Sequence, residues 1–155
     1  AFRVRESETM PEADQKVAQF INLDSPEGKP AMVCERALYF YEQGLMVAVR
    51  VASRPEAERL DDLMWTFKDS CLIPHALAAE AGEPVLEAVL IYCEGEEPGE
   101  ADVLIHAAGG EPDEVLTRFP RVLDFAEVYD DELREAGRRR FAACREASYR
   151  MRYVK

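Results

Sequence analysis

The apolar segment LMVAVRVA at residues 45–52 constrains the fold more than any other part of this 155-residue chain. A strand that shows one face to water alternates apolar and polar side chains, whereas a strand covered on both faces is apolar almost throughout. Arg50 is the single charged residue in the segment. The segment therefore predicts a central strand of a sheet that carries helices on both faces.

Further strands and helices alternate around this central strand. Residues 16–23 (KVAQFINL) have the composition of a first strand. Residues 30–43 have helical periodicity, and Gly44 is a typical helix stop. Ser53 and Glu56 have the spacing of a capping box, which predicts the start of a second helix after the central strand.

The second half of the chain continues the same alternation. Residues 66–83 contain Pro74 and predict an irregular connection after the second helix. The remaining predicted elements are strands at 84–93, 102–108, 121–125 and 149–154, a short helix at 114–119 and a long helix after residue 130. This order predicts a single Rossmann-like α/β domain of three layers with a mostly parallel sheet, spanning residues 16–155. Residues 1–15 are polar and are interpreted as a flexible leader.

The loop after the first strand lacks the pattern that binds a nucleotide. Residues 24–32 read DSPEGKPAM, with one glycine and without GxGxxG. Glycines at that place let backbone amides come close to a phosphate, and they also define the dinucleotide-binding loop. We therefore expect the Rossmann-like plan without its dinucleotide-binding glycine loop, and no cofactor.

Other catalytic and metal-binding patterns are also missing. His75 follows a proline, and His106 lies within a predicted strand, where a hydrogen-bonded core histidine is the favoured interpretation. Asp61 and Asp62, with Asp69, are interpreted as a solvated acidic face rather than a metal site. The four cysteines are far apart, which favours buried thiols in a reducing cytoplasm over disulfides or zinc. We expect no catalytic group and no metal, and keep as the alternative a small enzyme or ligand-binding domain with a site at the C-terminal ends of the strands.

Charge divides the chain into an acidic body and a basic end. The net charge is −12, yet residues 134–155 hold 8 Lys/Arg against 2 Asp/Glu, a balance of +6, and residues 1–133 hold 11 against 29, a balance of −18. An acidic body repels nucleic acid, so we expect contact with DNA to be indirect. The basic end suits a short acidic peptide better than a duplex. No apolar run approaches the roughly 20 residues of a membrane helix, and we expect a cytoplasmic protein without a membrane partner.

The basic end contains a helical pattern with arginines where apolar residues normally stand. Arg134, Arg138, Phe141 and Arg145 follow the spacing i, i+4, i+7 and i+11, which places them on one face of a helix. The opposite face carries side chains that suit close packing on a sheet: Leu133, Ala136, Ala143, Cys144 and Ala147. Either the arginines only offset neighbouring acids, or they form an anion-binding surface around one aromatic ring.

Residues 60–80 carry a family resemblance. Their sequence, LDDLMWTFKDSCLIPHALAAE, resembles the signature of the chi subunit of bacterial DNA polymerase III, in which an LD-x-x-L-W helix leads into a loop with IPH or VPH. The strand at 102–107, the segment VLDF at 122–125 and the arginine-rich helix at 138–145 follow in the family's order. The resemblance covers residues 16–155 and implies a Rossmann-like domain without a nucleotide and without catalytic activity. It also implies a bridge from the clamp-loader complex, through the psi subunit, to the acidic C-terminal tail of single-stranded DNA-binding protein.

The resemblance implies one site for psi or, as in some bacteria, for a helicase-like partner. Trp65, Leu72 and Pro74 stand at the positions that the family uses for this contact. The family often has Phe where this chain has Leu72. An exposed indole beside a proline-fixed loop would bury a large area at small entropy cost. The alternative is that Trp65 plugs the core under the loop.

The resemblance implies a second site for the acidic tail. Arg134, Arg138 and Arg145 match the family's basic positions, and Phe141 stands where the family has an aromatic residue. Arginine forks can hold carboxylates through two hydrogen bonds, and Phe141 would form the wall of an apolar slot. The family commonly has Lys where this chain has Ala142.

Overall fold

The computed structural model describes residues 15–67, 73–81 and 87–155. The strands in these ranges are β1 Val17–Leu23, β2 Val47–Val51, β3 His75–Leu77, β4 Val89–Cys93, β5 Val103–His106, β6 Arg121–Glu127 and β7 Arg150–Val154. The α-helices are α1 Lys29–Glu42, α2 Arg54–Thr66 and α3 Asp131–Glu146. Residues 1–14 of the predicted leader lie outside the described ranges.

The described strands form one sheet in the order β3-β4-β2-β5-β6-β1-β7, and every strand pair in it is parallel. The segment that predicted a central strand forms β2, which pairs with β4 on one side and β5 on the other. Val49 of β2 is aligned with Ile91 and Ile105 and is fully buried. The predicted Rossmann-like α/β fold is confirmed, and the described sheet is parallel throughout rather than mostly so.

Helices cover both faces of this sheet. α1 and α2 pack on one face, where Val47, Val49 and Val51 join the larger core cluster. α3 packs on the other face against β6 and β7, where Ala48 and Cys144 belong to a second cluster. Because β2 contributes to both clusters, its nearly continuous apolar sequence follows from burial on both faces.

The helix boundaries follow the local signals in the sequence. Ser53 Oγ accepts a hydrogen bond from the backbone N–H of Glu56 over 3.4 Å, and Glu56 Oε1 accepts one from the backbone N–H of Ala52 over 3.2 Å. These bonds form the capping box of α2, with the carboxylate reaching one residue further back than the N-cap. Gly44, just beyond α1, has φ +82°, where a residue with a Cβ would be strained.

The predicted helix at residues 114–119 is wrong, because this segment forms turns. Its backbone hydrogen bonds join residues three apart, from Leu116 to Asp113 and from Arg118 to Val115. A segment this short has too few residues to offset the cost of helix nucleation. Its apolar periodicity reflects burial instead, since Val115, Leu116 and Phe119 pack into the second cluster.

The predicted irregular connection at residues 66–83 is wrong for residues 75–80, which form β3 and a short 3-10 helix. His75 and Leu77 are buried, and Ala76 between them is half-buried. Three residues are too few to show a strand period in the sequence. Pro74 comes just before β3, a position that edge strands tolerate, and β3 lies at one edge of the sheet beside β4.

Candidate protein-binding surfaces

Polar side chains fix both ends of α3. Asp130 caps the helix, because its Oδ2 accepts a hydrogen bond of 3.0 Å from the backbone N–H of Leu133. Asp131 and Glu132 lie in the first turn and Arg145 lies in the last. Negative charge near the N-terminus and positive charge near the C-terminus both match the helix dipole.

One arginine of α3 is buried and joins the helix to the sheet. Arg140 donates from Nε to Asp124 Oδ2 over 2.8 Å and from Nη2 to Asp124 Oδ1 over 3.2 Å, and both side chains are 1% exposed. Its Nη1 donates to the carbonyl of Gly110 over 2.8 Å. A Cβ on Gly137 would stand 3.7 Å from the carbonyl oxygen of Phe125, so the helix passes close to β6 there.

Asp124 belongs to a chain of charged and polar groups on the α3 face of the sheet. Its Oδ2 lies 3.4 Å from His106 Nδ1, and His106 Nε2 lies 3.4 Å from Arg50 Nη1. Arg50 in turn donates to both carboxylate oxygens of Asp113 over 3.1 and 2.7 Å. Burial alone would raise the pKa of Asp124, but His106 and Arg140 outweigh burial and lower it to about 2.

The expectation for His106 holds in part. The side chain is buried, as predicted for a core histidine. Its Nδ1 has no hydrogen-bond partner of good geometry among the described residues, because the 3.4 Å separation from Asp124 is long. The buried His106 ring therefore lies beside the Asp124 carboxylate without a hydrogen bond of good geometry to it.

The exposed face of α3 carries the residues predicted to bind an acidic tail. The Arg138 side chain is 65% exposed, Arg145 is exposed, and Arg134 and Phe141 are half-buried. Arg134 pairs with Asp131 and donates to the carbonyl of Val128, whereas Arg138 pairs with Glu135. Each carboxylate lies three residues before its arginine on the exposed face of α3. Ion pairs in such positions contribute little to the stability of the fold. We call Arg134, Arg138, Phe141 and Arg145 the arginine surface.

Phe141 connects the arginine surface to the core. Its ring meets the buried ring of Phe20 edge to face, with centroids 5.2 Å apart. The Arg145 guanidinium lies 6.0 Å from the centroid of the Phe141 ring, at the limit of a cation–π contact. One side of the aromatic ring is therefore fixed against β1, and the helix presents the rest between Arg138 and Arg145.

A second surface lies at the C-terminal end of α2. Trp65 is 55% exposed, so the alternative that it plugs the core is wrong. Its ring lies 4.6 Å from the ring of His75, which is buried in β3 with Nδ1 2.6 Å from the carbonyl of Ile73. Pro74 is half-buried beside them, and Leu72 lies outside the described residues. We call Trp65 and Pro74 the tryptophan surface.

The region after β1 is unsuited to a phosphate group. Lys29, at the start of α1, pairs with Glu127 over 3.1 Å, and Tyr129 donates to the same carboxylate oxygen over 2.8 Å. A phosphate at this helix terminus would meet that carboxylate. In the parts of the chain that the structure describes, no group of three or more His, Cys, Asp or Glu side chains could hold a metal ion. None of the helices in those parts has the length and apolar character needed to span a membrane.

Comparison with known proteins identifies the family. The model of the family described as DNA polymerase III chi subunit, HolC, matches residues 16–152. This chain belongs to the DNA polymerase III chi subunit family. The DNA polymerase III subunit chi of Pseudomonas aeruginosa is 30% identical to it over 124 residues, which cover 80% of this chain and 84% of the relative.

Membership in the chi subunit family confirms the resemblance that residues 60–80 carry. The matched range includes both the arginine surface and the tryptophan surface. The helical spacing of the arginines did not identify the buried pair of Arg140 with Asp124. The signal was present, since Asp124 is the single charged residue within the apolar segment VLDF.

Replacing Asp124 with Asn should destabilise the fold strongly at neutral pH, because buried Arg140 loses its negative partner. We expect the free energy of unfolding to fall by about 3–5 kcal/mol. The folded pKa of Asp124, about 2, lies below the unfolded value of about 3.9, so its stabilisation is complete above about pH 4 and is lost as the pH falls towards 2. The gap between the wild type and Asp124→Asn should therefore narrow by about 2 kcal/mol on acidification.

Urea unfolding followed by circular dichroism between neutral pH and pH about 2 measures this gap. Arg139→Met is the matched control, because Arg139 is on the same helix but pairs with Glu111 in an exposed position. The control should unfold close to the wild type at every pH. An Asp124→Asn variant as stable as the wild type near neutral pH would show that the buried pair does not hold α3.

Proposed function

We propose that this chi-family chain is a non-catalytic accessory subunit of the DNA polymerase III holoenzyme. In this role it links the clamp-loader complex to the acidic C-terminal tail of single-stranded DNA-binding protein during DNA replication, in the cytoplasm. The observation that carries the proposal is the arginine surface, where Arg138 and Arg145 are exposed on either side of half-buried Phe141. DNA is reached only through the binding protein.

The arginine surface suits an acidic peptide that ends in an apolar residue and a free carboxylate. Each guanidinium can donate two parallel hydrogen bonds to a carboxylate. The outer part of the Phe141 ring can contact the terminal apolar side chain, because the opposite part is fixed against Phe20. The existing pairs of Arg134 and Arg138 with Asp131 and Glu135 are exposed, so a tail carboxylate can replace them at low cost.

A peptide ligand also fits the charge distribution better than DNA does. The chain has a net charge of −12, and its positive charge is concentrated in residues 134–155. A duplex would extend beyond this end and meet the acidic body, whereas a short peptide would not. The alternative, an enzyme or ligand-binding domain with a site at the C-terminal ends of the strands, has less support. Membership in the chi subunit family and the Glu127 carboxylate beside Lys29 both favour the adaptor.

Titration with a fluorescein-labelled peptide of the cognate tail tests the arginine surface. We expect saturable binding at low salt that weakens as salt rises, because exposed charges are screened. Arg138→Ala should weaken binding by roughly tenfold or more, since a fork to a carboxylate is lost. Fluorescence anisotropy measures both effects.

Arg54→Ala is the control for this titration. Arg54 is also a helical arginine that pairs with exposed acids, Glu58 and Glu80, but it lies on α2. The control should bind the peptide as the wild type does. Absence of binding at low salt, or equal losses in the two variants, would contradict the assignment of the tail to the arginine surface.

We further propose that the tryptophan surface binds the psi subunit or an equivalent, helicase-like partner. Trp65 is the most exposed of the large apolar side chains in the described ranges. Its contact with His75 restrains the indole against β3, so little side-chain entropy remains to be lost on binding. Pro74 stiffens the adjacent backbone, and Leu72 completes the proposed contact set.

Trp65→Ala should separate binding from stability. The side chain is largely exposed, so we expect its loss to change the melting temperature little. Association with the psi subunit of the same organism should weaken by roughly tenfold or more, as for an aromatic hot spot. Isothermal titration calorimetry measures this binding. Tyr39→Ala is the control, because it removes an exposed aromatic ring from a different helix, α1. Unchanged psi binding by Trp65→Ala would contradict the proposal.

A further inference from the structure

Three arginines outside α3 lie on the opposite face of the sheet. Arg121 of β6 and Arg150 of β7 are both aligned with Val17 of β1, one on each side of it. Arg152 is aligned with Gln19, one row further along the strands. Side chains alternate between faces along a strand, and the alternate residues Leu123 and Val154 pack in the cluster under α1. The three arginines therefore face the α1 side.

This part of the α1 face is open to water. Arg150 and Arg152 are exposed, while Val17, Gln19 and Arg121 are half-buried. α1 leaves β1 and packs against β2 and β5, toward the middle of the sheet. A parallel sheet normally has both faces covered. The exposed arginines beside β1 and β7 therefore mark a part of the α1 face that a partner could cover.

β7 also has a backbone edge to which no strand of the described ranges is paired. It is the last strand of the described sheet and pairs with β1. The backbone N–H of Arg150 donates to the carbonyl of Lys16 over 2.7 Å, which directs Arg150 and Arg152 toward β1. In a parallel ladder the intervening residues, Met151 and Tyr153, then direct their N–H and C=O groups away from the sheet. These groups can receive one more strand.

The positive charge at this edge indicates which kind of strand could be added. Among the described residues, no carboxylate oxygen lies within 4.0 Å of the guanidinium groups of Arg121, Arg150 or Arg152. The Arg121 guanidinium lies instead 5.8 Å from the centroid of the Phe40 ring. A second copy of β7 would bring like charges together on one face, which disfavours self-pairing. Nucleic acid offers no backbone amides to Met151 and Tyr153.

We propose that the edge of β7 binds an extended acidic segment of a partner protein, which adds to the sheet as a further strand. Alternate carboxylates of that segment face Arg150 and Arg152, with Arg121 adding to the positive field. The intervening side chains contact Met151 and Tyr153 on the α3 side. This surface is separate from the arginine surface and goes beyond the function proposed above.

A designed peptide tests this proposal directly. The probe is a fluorescein-labelled peptide that alternates glutamate with valine and threonine, and one comparison peptide has lysine in place of glutamate. A second comparison peptide has the acidic sequence with methyl groups on alternate backbone nitrogens, which blocks strand pairing on that edge. We expect only the unmodified acidic peptide to bind, and the amide protons of Met151 and Tyr153 to exchange more slowly with solvent in its presence.

Charge reversal in β7 provides the matched variant. Arg150→Glu together with Arg152→Glu should weaken binding by roughly tenfold or more, while Arg59→Glu, an exposed arginine on α2, should leave it unchanged. Circular dichroism verifies that each variant is folded. Equal binding of the methylated peptide, equal binding by the doubly reversed variant, or displacement of the probe by single-stranded oligothymidine would overturn strand addition. Dimers that form through β7 without any peptide would also overturn it.

Discussion

The buried ion pair between Arg140 and Asp124 sets the rotation of α3 on the sheet. Taking both charges out of water costs several kcal/mol per ion, and the cost is offset only where the geometry satisfies both groups. Here the guanidinium donates twice to the carboxylate and also reaches the carbonyl oxygens of Gly110 and Phe125. A different rotation of the helix would leave two buried charges without partners. The rotation that buries Arg140 is the one that exposes Arg138 and Arg145.

Three successive arginines on α3 consequently have different environments and different partners. Arg138 is exposed beside Phe141, Arg139 pairs with Glu111 at the surface, and Arg140 is buried against Asp124. Position on the helix, rather than residue type, determines which guanidinium can meet a ligand. The same principle applies at β7, where strand alternation places Arg150 and Arg152 on the open face. In an acidic chain, each of these places offers positive charge to an acidic partner.

The sequence predicted the features that depend on local periodicity. The apolar segment at 45–52 indicated β2, the capping box indicated the start of α2, and the arginine spacing indicated the exposed face of α3. It could not predict features that depend on residues distant in the chain. The partner of Arg140 lies on β6, 16 residues away, and the ring that lies against Trp65 belongs to His75 of β3. The strand β3 and the turns at 114–118 are too short for their apolar residues to show a reliable period in the sequence.

We propose that the chain binds single-stranded DNA-binding protein through that protein's acidic tail. Surface plasmon resonance tests it most directly, with the intact binding protein immobilised on single-stranded DNA in one channel and a form lacking the C-terminal tail in another. This chain should bind the intact protein in a salt-sensitive way and should not bind the shortened form. Equal binding in the two channels would contradict it.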